Sequence, residues 1–310
     1  MKKLIVITGP TASGKTALSI KLCSWLNQTK NQKVFGIKGA EIISADSRQV
    51  YRGLNLGAGK ITKKEMQGIP HHLLDVTSPK TRFTAAQYKK LGERKLKEIF
   101  DKEKLPVICG GSYFYIRALI DGLVIPQVKP DWQLRKKLNK KTAGQLYSLL
   151  AKTDKRRAET IDQYNKRRLI RALEIVLKTK KPVPELKLSP LPYPVLILGV
   201  SRPEQVLKEL VKKRLLERLK QGMAKEVKNL HGSGLSWQKL EDFGLEYRYL
   251  AQYLQKKISY QEMVVTLEKE IWHFVKRQLT WFKRDGRIRW IKKQPEAEKL
   301  IKRFLREGEN

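Results

Sequence analysis

Residues 9 to 16 read Gly-Pro-Thr-Ala-Ser-Gly-Lys-Thr, and this octapeptide constrains the fold more than any other feature of the chain. It has the spacing GxxxxGK followed by Thr, it comes directly after an apolar run at Leu4–Thr8, and a helical pattern begins at Ala17. Strand, glycine-rich turn and helix in that order make a phosphate-binding loop. The glycines let successive backbone N–H groups curl toward one anion, the helix N-terminus adds partial positive charge, and Lys15 adds a full charge. The predicted ligand is a phosphate or diphosphate held by Gly9, Thr11, Ala12, Ser13, Gly14, Lys15 and Thr16, with the Thr16 hydroxyl as the Mg²⁺ ligand.

Three further aliphatic runs, at residues 41–45, 106–109 and Val195–Val200, read as buried strands bounded by Gly, Pro or polar residues. Helical patterns separate them, which is how a parallel α/β sheet appears in sequence. Between residues 127 and 190 the chain turns to Lys/Arg-rich helical segments (134–138, 146–150, 169–177) and ends in a connection carrying Pro182, Pro184, Pro190, Pro192 and Pro194. The organisation predicted is a P-loop parallel-sheet core over 1–126 and 191–310, interrupted by a helical insertion at 127–190. Beyond Val200 the pattern is mainly helical, at 206–219 and 260–282, and the basic tail from Lys292 reads as a solvated helix. No internal repeat is found.

The 310 residues carry 66 Lys+Arg against 30 Asp+Glu, a net charge of +36. Such a surface attracts polyanions at long range and gains from counterion release, although a Lys-rich composition alone also produces solvated basic helix faces. No apolar run approaches the roughly 20 residues of a membrane span, and residues 1–8 are too short for a signal-peptide core. Cys23 and Cys109 lie in apolar segments without CxxC or His-rich neighbours. They read as buried thiols of a reducing compartment, so the expectation is a soluble, cytoplasmic protein.

Phosphate-loop proteins that hydrolyse nucleotides usually have a second apolar strand ending in an acid that helps hold Mg²⁺. Here the central candidate, 106–112, ends in Gly110-Gly111-Ser112. The strand that does end in an acid is 41–45, followed by Asp46-Ser47-Arg48-Gln49-Val50-Tyr51. In a doubly wound sheet both strand ends open onto the crevice that holds the phosphate. Two roles stand open for Asp46 at this point: a metal-associated acid or general base, and a cap for the turn that follows it.

Taken together, the segments GPTASGKTAL (9–18), ISADSRQVYRGLNLG (43–57), PHHLLDV (70–76), FTAAQY (83–88), PVICGGSYFYIRALIDGL (106–123), NKRRLIRALE (165–174), GMAKEV (222–227) and KRQLTWFKR (276–284) resemble the tRNA dimethylallyltransferase family. They run in family order over nearly the whole chain. Ser-x-Asp-Ser-x-Gln-x-Tyr and Lys-Arg-Gln-x-Thr-Trp-Phe are not general P-loop features.

The resemblance implies transfer of a dimethylallyl group from dimethylallyl diphosphate to N6 of adenosine 37, beside the tRNA anticodon, with Mg²⁺ as cofactor. Diphosphate is then the leaving group, and stabilising its developing charge with the loop N–H groups, Lys15 and an Arg lowers the barrier. By position that Arg is Arg214, with Arg202 and Arg218 as alternatives. The family pattern makes Asp46 the general base and gives the Ser112 hydroxyl the orientation of the reacting amine. It assigns Ser47, Arg48 and Gln49 to tRNA, with Ser47 and Gln49 contacting the flipped-out adenine. Further contacts to the anticodon stem-loop fall on Arg135, Arg167, Arg168 and Arg171 of the insertion, and on Lys276, Arg277, Gln278, Trp281 and Arg284. Trp281 reads equally as core packing or as a stacking platform, and His71 and His72 as structural or pocket-lining residues. A single chain supplying pocket and tRNA surface implies a monomer.

Several segments depart from the family pattern. Gly57-Ala58-Gly59-Lys60-Ile61 stands where Gly-Thr-Ala-Lys-Pro is common, and Tyr113-Phe114-Tyr115 where Gly-Leu-Tyr is usual. Gly244-Leu245-Glu246-Tyr247 replaces Gly-Tyr-Lys-Glu, Ile271-Trp272 replaces Thr-Arg, and no Cys/His zinc finger follows residue 290. The rival readings are a P-loop kinase acting on a nucleoside or small metabolite, and a nucleotide-dependent RNA-binding switch without chemistry. Neither accounts for the 276–284 segment.

Overall fold

The apolar run at residues 4–8 forms β1 (Leu4–Thr8), with every residue buried. In this computed structural model residues 2–124, 126, 128–185 and 187–307 are described. After β1 come α1 (Lys15–Leu26), α2 (Thr29–Phe35), β2 (Ala40–Ser44), α3 (Lys63–Met66), β3 (His71–His72), α4 (Ala85–Asp101), β4 (Leu105–Gly110) and α5 (Tyr113–Ile120). Four helices follow: α6 (Trp132–Asn139), α7 (Ala143–Thr153), α8 (Lys155–Thr160) and α9 (Lys166–Thr179). The chain then continues through β5 (Val195–Val200), α10 (Glu204–Lys220), α11 (Met223–Gly232), α12 (Trp237–Phe243) and α13 (Leu245–Leu254). It ends in α14 (Tyr260–Lys283), β6 (Ile288–Ile291) and α15 (Gln294–Arg306).

The strands form one parallel sheet in the order β3-β2-β4-β1-β5-β6. Alternate residues enter opposite cores, as the two-residue strand period requires. Leu4, Val6, Ile43, Ile108 and Ile197 pack with α4, α5 and the helices after β5, while Ile5, Ile7, Ile42, Val107 and Leu198 pack with α1 and α15. The fold is α/β with a parallel sheet, as the sequence predicts. No described helix is long and apolar enough to cross a membrane.

Two strands escape the sequence reading. β3 is only two residues long, and β6 buries Ile288 and Ile291 while exposing Arg289 and Trp290, so neither presents an aliphatic run. The tail after Lys292 is a helix but not a solvated one. Ala297, Ile301 and Leu305 of α15 are buried beside Leu198, Val200 and Ile291. Its C-terminal carbonyls are held by the buried Lys3 ammonium, which donates to Phe304, Leu305 and Glu307 at 2.7 Å each. A cation there satisfies carbonyls that have no partner within the helix and complements the helix dipole.

Contacts divide the chain into two compact units, residues 1–122 with 190–310, and residues 123–189. The second unit has its own core, built around Leu138, Leu146, Leu150, Leu169 and Leu173.

Candidate active site

β1, β4 and β2 lie side by side, so the loops at their C-terminal ends, 9–14, 110–112 and 45–49, open on the same edge of the sheet. The phosphate loop turns into α1 through Gly14, whose φ of +90° excludes an ordinary side chain. Ser13 is fully buried and its Oγ has no hydrogen-bond partner. An orphaned hydroxyl in such a loop is the kind of donor that a bound anion satisfies. Lys15 Nζ donates to Pro10 O at 3.2 Å. Burial pushes the Lys15 ammonium below the ordinary lysine range, and Arg214 and Arg218 push the same way against Asp46.

Lys15, Thr16, Arg214 and Arg218 line one cavity of about 880 Å³, closed on another side by the 55–67 segment. Desolvation lowers the Arg214 guanidinium, and desolvation together with repulsion from Arg214 lowers Arg218 to about 10. Glu246 Oε1, 3.8 Å from Arg218, offsets only part of this charge, and burial raises its own carboxyl. A buried concentration of cations with so little compensation is unfavourable until an anion enters. Arg202, the remaining candidate, donates through Nε to Ser13 O at 3.3 Å and so braces the loop.

Asp46 Oδ1 accepts the N–H groups of Arg48 at 2.8 Å and Gln49 at 3.3 Å. One carboxylate oxygen therefore caps the turn, while the charge is felt by Lys15, Arg214 and Arg218. Ser112 ties β4 to this turn: its N–H donates to Ala45 O at 3.1 Å, and its Oγ accepts from Ser47 N at 2.9 Å. Gln49 Nε2 donates to Gly59 O at 3.1 Å, and its Oε1 accepts from Ser44 Oγ at 3.2 Å. An amide has two donors and two acceptor sites, so each end keeps one for a ligand. Arg48 is engaged within the protein through Nε to Phe243 O at 2.7 Å and NH1 to Ser47 O at 3.3 Å, with its guanidinium over the Phe243 ring.

Gln278, expected among the RNA contacts, is engaged within the protein. This side chain is buried, accepts from Thr11 N at 2.9 Å and donates to Gly111 O at 3.0 Å, stitching the phosphate loop to the turn that carries Ser112. Its α14 neighbours Lys276, Arg277, Trp281 and Arg284 are exposed. Trp281 is 39% exposed, has Arg284 over its ring at 5.4 Å and stacks on Tyr113 at 6.2 Å. It is thus a partly exposed surface aromatic.

In the second unit Arg135 and Arg171, part-exposed, also serve its architecture. Arg135 grips buried Glu174 through Nε at 2.7 Å and NH2 at 2.6 Å. Arg171 pairs with the same carboxylate and donates to Val128 O at 3.0 Å. Burial alone would raise the Glu174 carboxyl, yet these two guanidiniums and the Asp131 N–H hold it at about 2. Arg167 and Arg168 are exposed in the first turn of α9, where cations oppose the helix dipole, so helix stability does not explain them.

His72 Nε2 lies 2.7 Å from Glu41 Oε2, and His71 Nδ1 lies 2.8 Å from Ile69 O. Among the described residues no group of three or more His, Cys, Asp or Glu is arranged to hold a metal ion. A Mg²⁺ at the phosphate loop fits only with the Thr16 hydroxyl and the ligand's own oxygens as donors.

The sequence model of the IPP transferase family matches residues 49–285. The chain belongs to the IPP transferase family. The phosphate loop precedes the matched segment. The chain is 39% identical over 299 residues to tRNA dimethylallyltransferase 1 of Syntrophus aciditrophicus, covering 94% of each protein. The full-length tRNA isopentenylpyrophosphate transferase from Bacillus halodurans superposes with a TM-score of 0.70 at 31% identity, covering 98% of this chain and 96% of that one. A eukaryotic dimethylallyltransferase acting on tRNA shares the fold, with a TM-score of 0.76 at 24% identity over 94% of this chain and 74% of that one.

The sequence assigns no role to Gly59, which lines the cavity, or to Glu226 and Tyr247, which bond to the backbone of residues 55–58. Glu226 lies within the 222–227 segment, but its partners are some 170 residues away and no spacing rule connects them.

Proposed function

We propose that this member of the IPP transferase family transfers the dimethylallyl group of dimethylallyl diphosphate to N6 of adenosine 37 in the tRNA anticodon loop, releasing diphosphate. The observation that carries the reading is the cavity in which Lys15, Arg214 and Arg218 gather beside the phosphate loop, with Ser112 on the adjacent strand end tied to Ala45 and Ser47 on either side of Asp46. β4 ends in glycines and a hydroxyl, which suits departure of an intact diphosphate better than phosphoryl transfer. The bond broken joins the allyl carbon to the diphosphate oxygen, and the bond formed joins that carbon to the adenine nitrogen.

In this reading the loop N–H groups, Lys15, Arg214 and Arg218 take up the negative charge that develops on the departing diphosphate. Asp46 receives the proton lost by the amine, whose lone pair is conjugated into the purine and therefore weakly basic. Ser112 steadies the Asp46–Ser47 turn and offers its hydroxyl to the amine, and the spare sites of Gln49 fit an adenine edge. A Mg²⁺ would be held by Thr16 and the diphosphate oxygens, and the chemistry it supplies is neutralisation of leaving-group charge.

The exposed cations of α14, with Trp281 beside them, and, separately, Arg167 and Arg168 of α9 contact the tRNA. We read the enzyme as a cytoplasmic monomer. Incubation with Mg²⁺, labelled dimethylallyl diphosphate and unmodified tRNA tests the proposal. The expected result is label on the tRNA, reduced at least about 100-fold in Asp46→Ala. ATP hydrolysis or phosphoryl transfer without prenylation returns the loop to a kinase.

A further inference from the structure

Residues 55–58 pass over the cavity without belonging to a helix or strand, and four consecutive N–H groups there need partners from elsewhere. Glu226 of α11 supplies most of them. Its Oε2 accepts from Asn55 N at 3.1 Å and Leu56 N at 2.7 Å, and its Oε1 accepts from Gly57 N at 3.1 Å. Tyr247, itself buried, donates its hydroxyl to Glu226 Oε1 at 2.9 Å and accepts from Ala58 N at 3.1 Å. One carboxylate and one phenol thus gather the whole run, an arrangement in which charged hydrogen bonds fix a backbone segment far from its neighbours in sequence.

The segment so fixed ends at Gly59, and Gly59 touches the site twice. A Cβ on Gly59 would lie 1.6 Å from Arg218 Nη2 and 2.2 Å from Arg214 Nη2, so the bare backbone is the wall against which both guanidiniums rest. Its carbonyl accepts from Gln49 Nε2 at 3.1 Å. Lys60 closes the far end of the segment on Tyr51 O at 2.8 Å and Asn55 Oδ1 at 3.0 Å.

We propose that Glu226 is a positioning residue for the diphosphate site: by collecting the N–H groups of Asn55, Leu56 and Gly57 it sets the Gly59 wall that aligns Arg214 and Arg218. Tyr247 is its partner in that role. The inference rests on the proposed reaction, in which those arginines meet the leaving diphosphate. Misplacing such groups by about an ångström is enough to weaken their action severely.

The test compares full-length wild type, Glu226→Gln and Tyr247→Phe in three measurements: melting temperature, calorimetric affinity for inorganic pyrophosphate, and steady-state transfer. Gln retains the size of Glu but turns an NH2 toward backbone donors. Glu226→Gln is expected to weaken pyrophosphate binding about tenfold and raise the donor KM in step, a shift of this size being what loss of preorganisation produces. Affinity for tRNA, set mainly by backbone charge, should stay within about twofold. Tyr247→Phe should move the same constants in the same direction by less, and it carries the test if Glu226→Gln does not fold. A lowered melting temperature with wild-type pyrophosphate affinity and donor KM would make the contacts structural only and overturn the inference. If pyrophosphate binding depends on Glu226 but wild type transfers no prenyl group, the positioning role stands and the reaction assignment fails.

Discussion

Gln278 illustrates how a side chain within a basic, exposed segment can be part of the scaffold. Its neighbours in the 276–284 segment are charged and exposed, which suggested a shared surface, but helical geometry turns Gln278 inward with Val275 and Phe282. There it joins Thr11 N to Gly111 O, whose carbonyl also accepts from Tyr113 N at 3.1 Å. Gln278→Ala should therefore cost stability on the order of 1–3 kcal/mol by removing the partner of Thr11 N and leaving Gly111 O with the Tyr113 N–H alone. It should also lower kcat by about 100-fold through loosened alignment of the phosphate loop against Ser112. Thermal unfolding and single-turnover transfer measure the two effects separately, and unchanged turnover would show that the stitch serves stability alone. The places of Lys15 and Thr16 in the phosphate loop were legible from motif spacing, and Asp46 and Ser112 were singled out by the family resemblance. Gly59 and Glu226 were not, since their function arises from approach between distant segments.

Among the elements, strands with continuous aliphatic runs were readable and strands without them were not. β1 and β5 have the predicted limits, β2 and β4 differ by about one residue at their ends, and β3 and β6 carry too few apolar residues for periodicity to register. α15 was misread because its net charge hides an apolar stripe at Ala297, Ile301 and Leu305, spaced four apart. The second unit shows the same effect in its basic residues, several of which serve its own architecture. Glu174 is the clearest case: its carboxyl lies near 2 in the folded chain against an ordinary value of 4.5, so it contributes stability above pH 4.5 that is lost as pH falls toward about 2. The magnitude is on the order of 3 kcal/mol. Comparing wild type with Glu174→Gln across this range cancels the titration of other carboxylates. The stability gap should be widest near neutrality and shrink between pH 4.5 and about 2, whereas a gap independent of pH would refute the ion-pair account.

At the scale of the molecule, 66 Lys+Arg against 30 Asp+Glu leave a net charge of +36, and Lys276 and Arg277 of α14 are exposed contributors to it. Binding of tRNA should consequently weaken steeply with salt, each phosphate contact adding about 0.7 to 0.9 to the slope of log affinity against log salt. Lys276→Ala or Arg277→Ala should each reduce that slope by about one contact and leave inorganic pyrophosphate affinity unchanged. A slope unaltered by either variant would remove this face from the interface. The central claim joins the two halves of the account, an anion cradle for the donor and a base beside the acceptor. It is tested most directly by nucleoside analysis of reacted tRNA with simultaneous assay of released diphosphate. The account predicts N6-dimethylallyladenosine at position 37 and diphosphate in equal amounts; orthophosphate in place of diphosphate, or prenylation at another nucleoside, would contradict it.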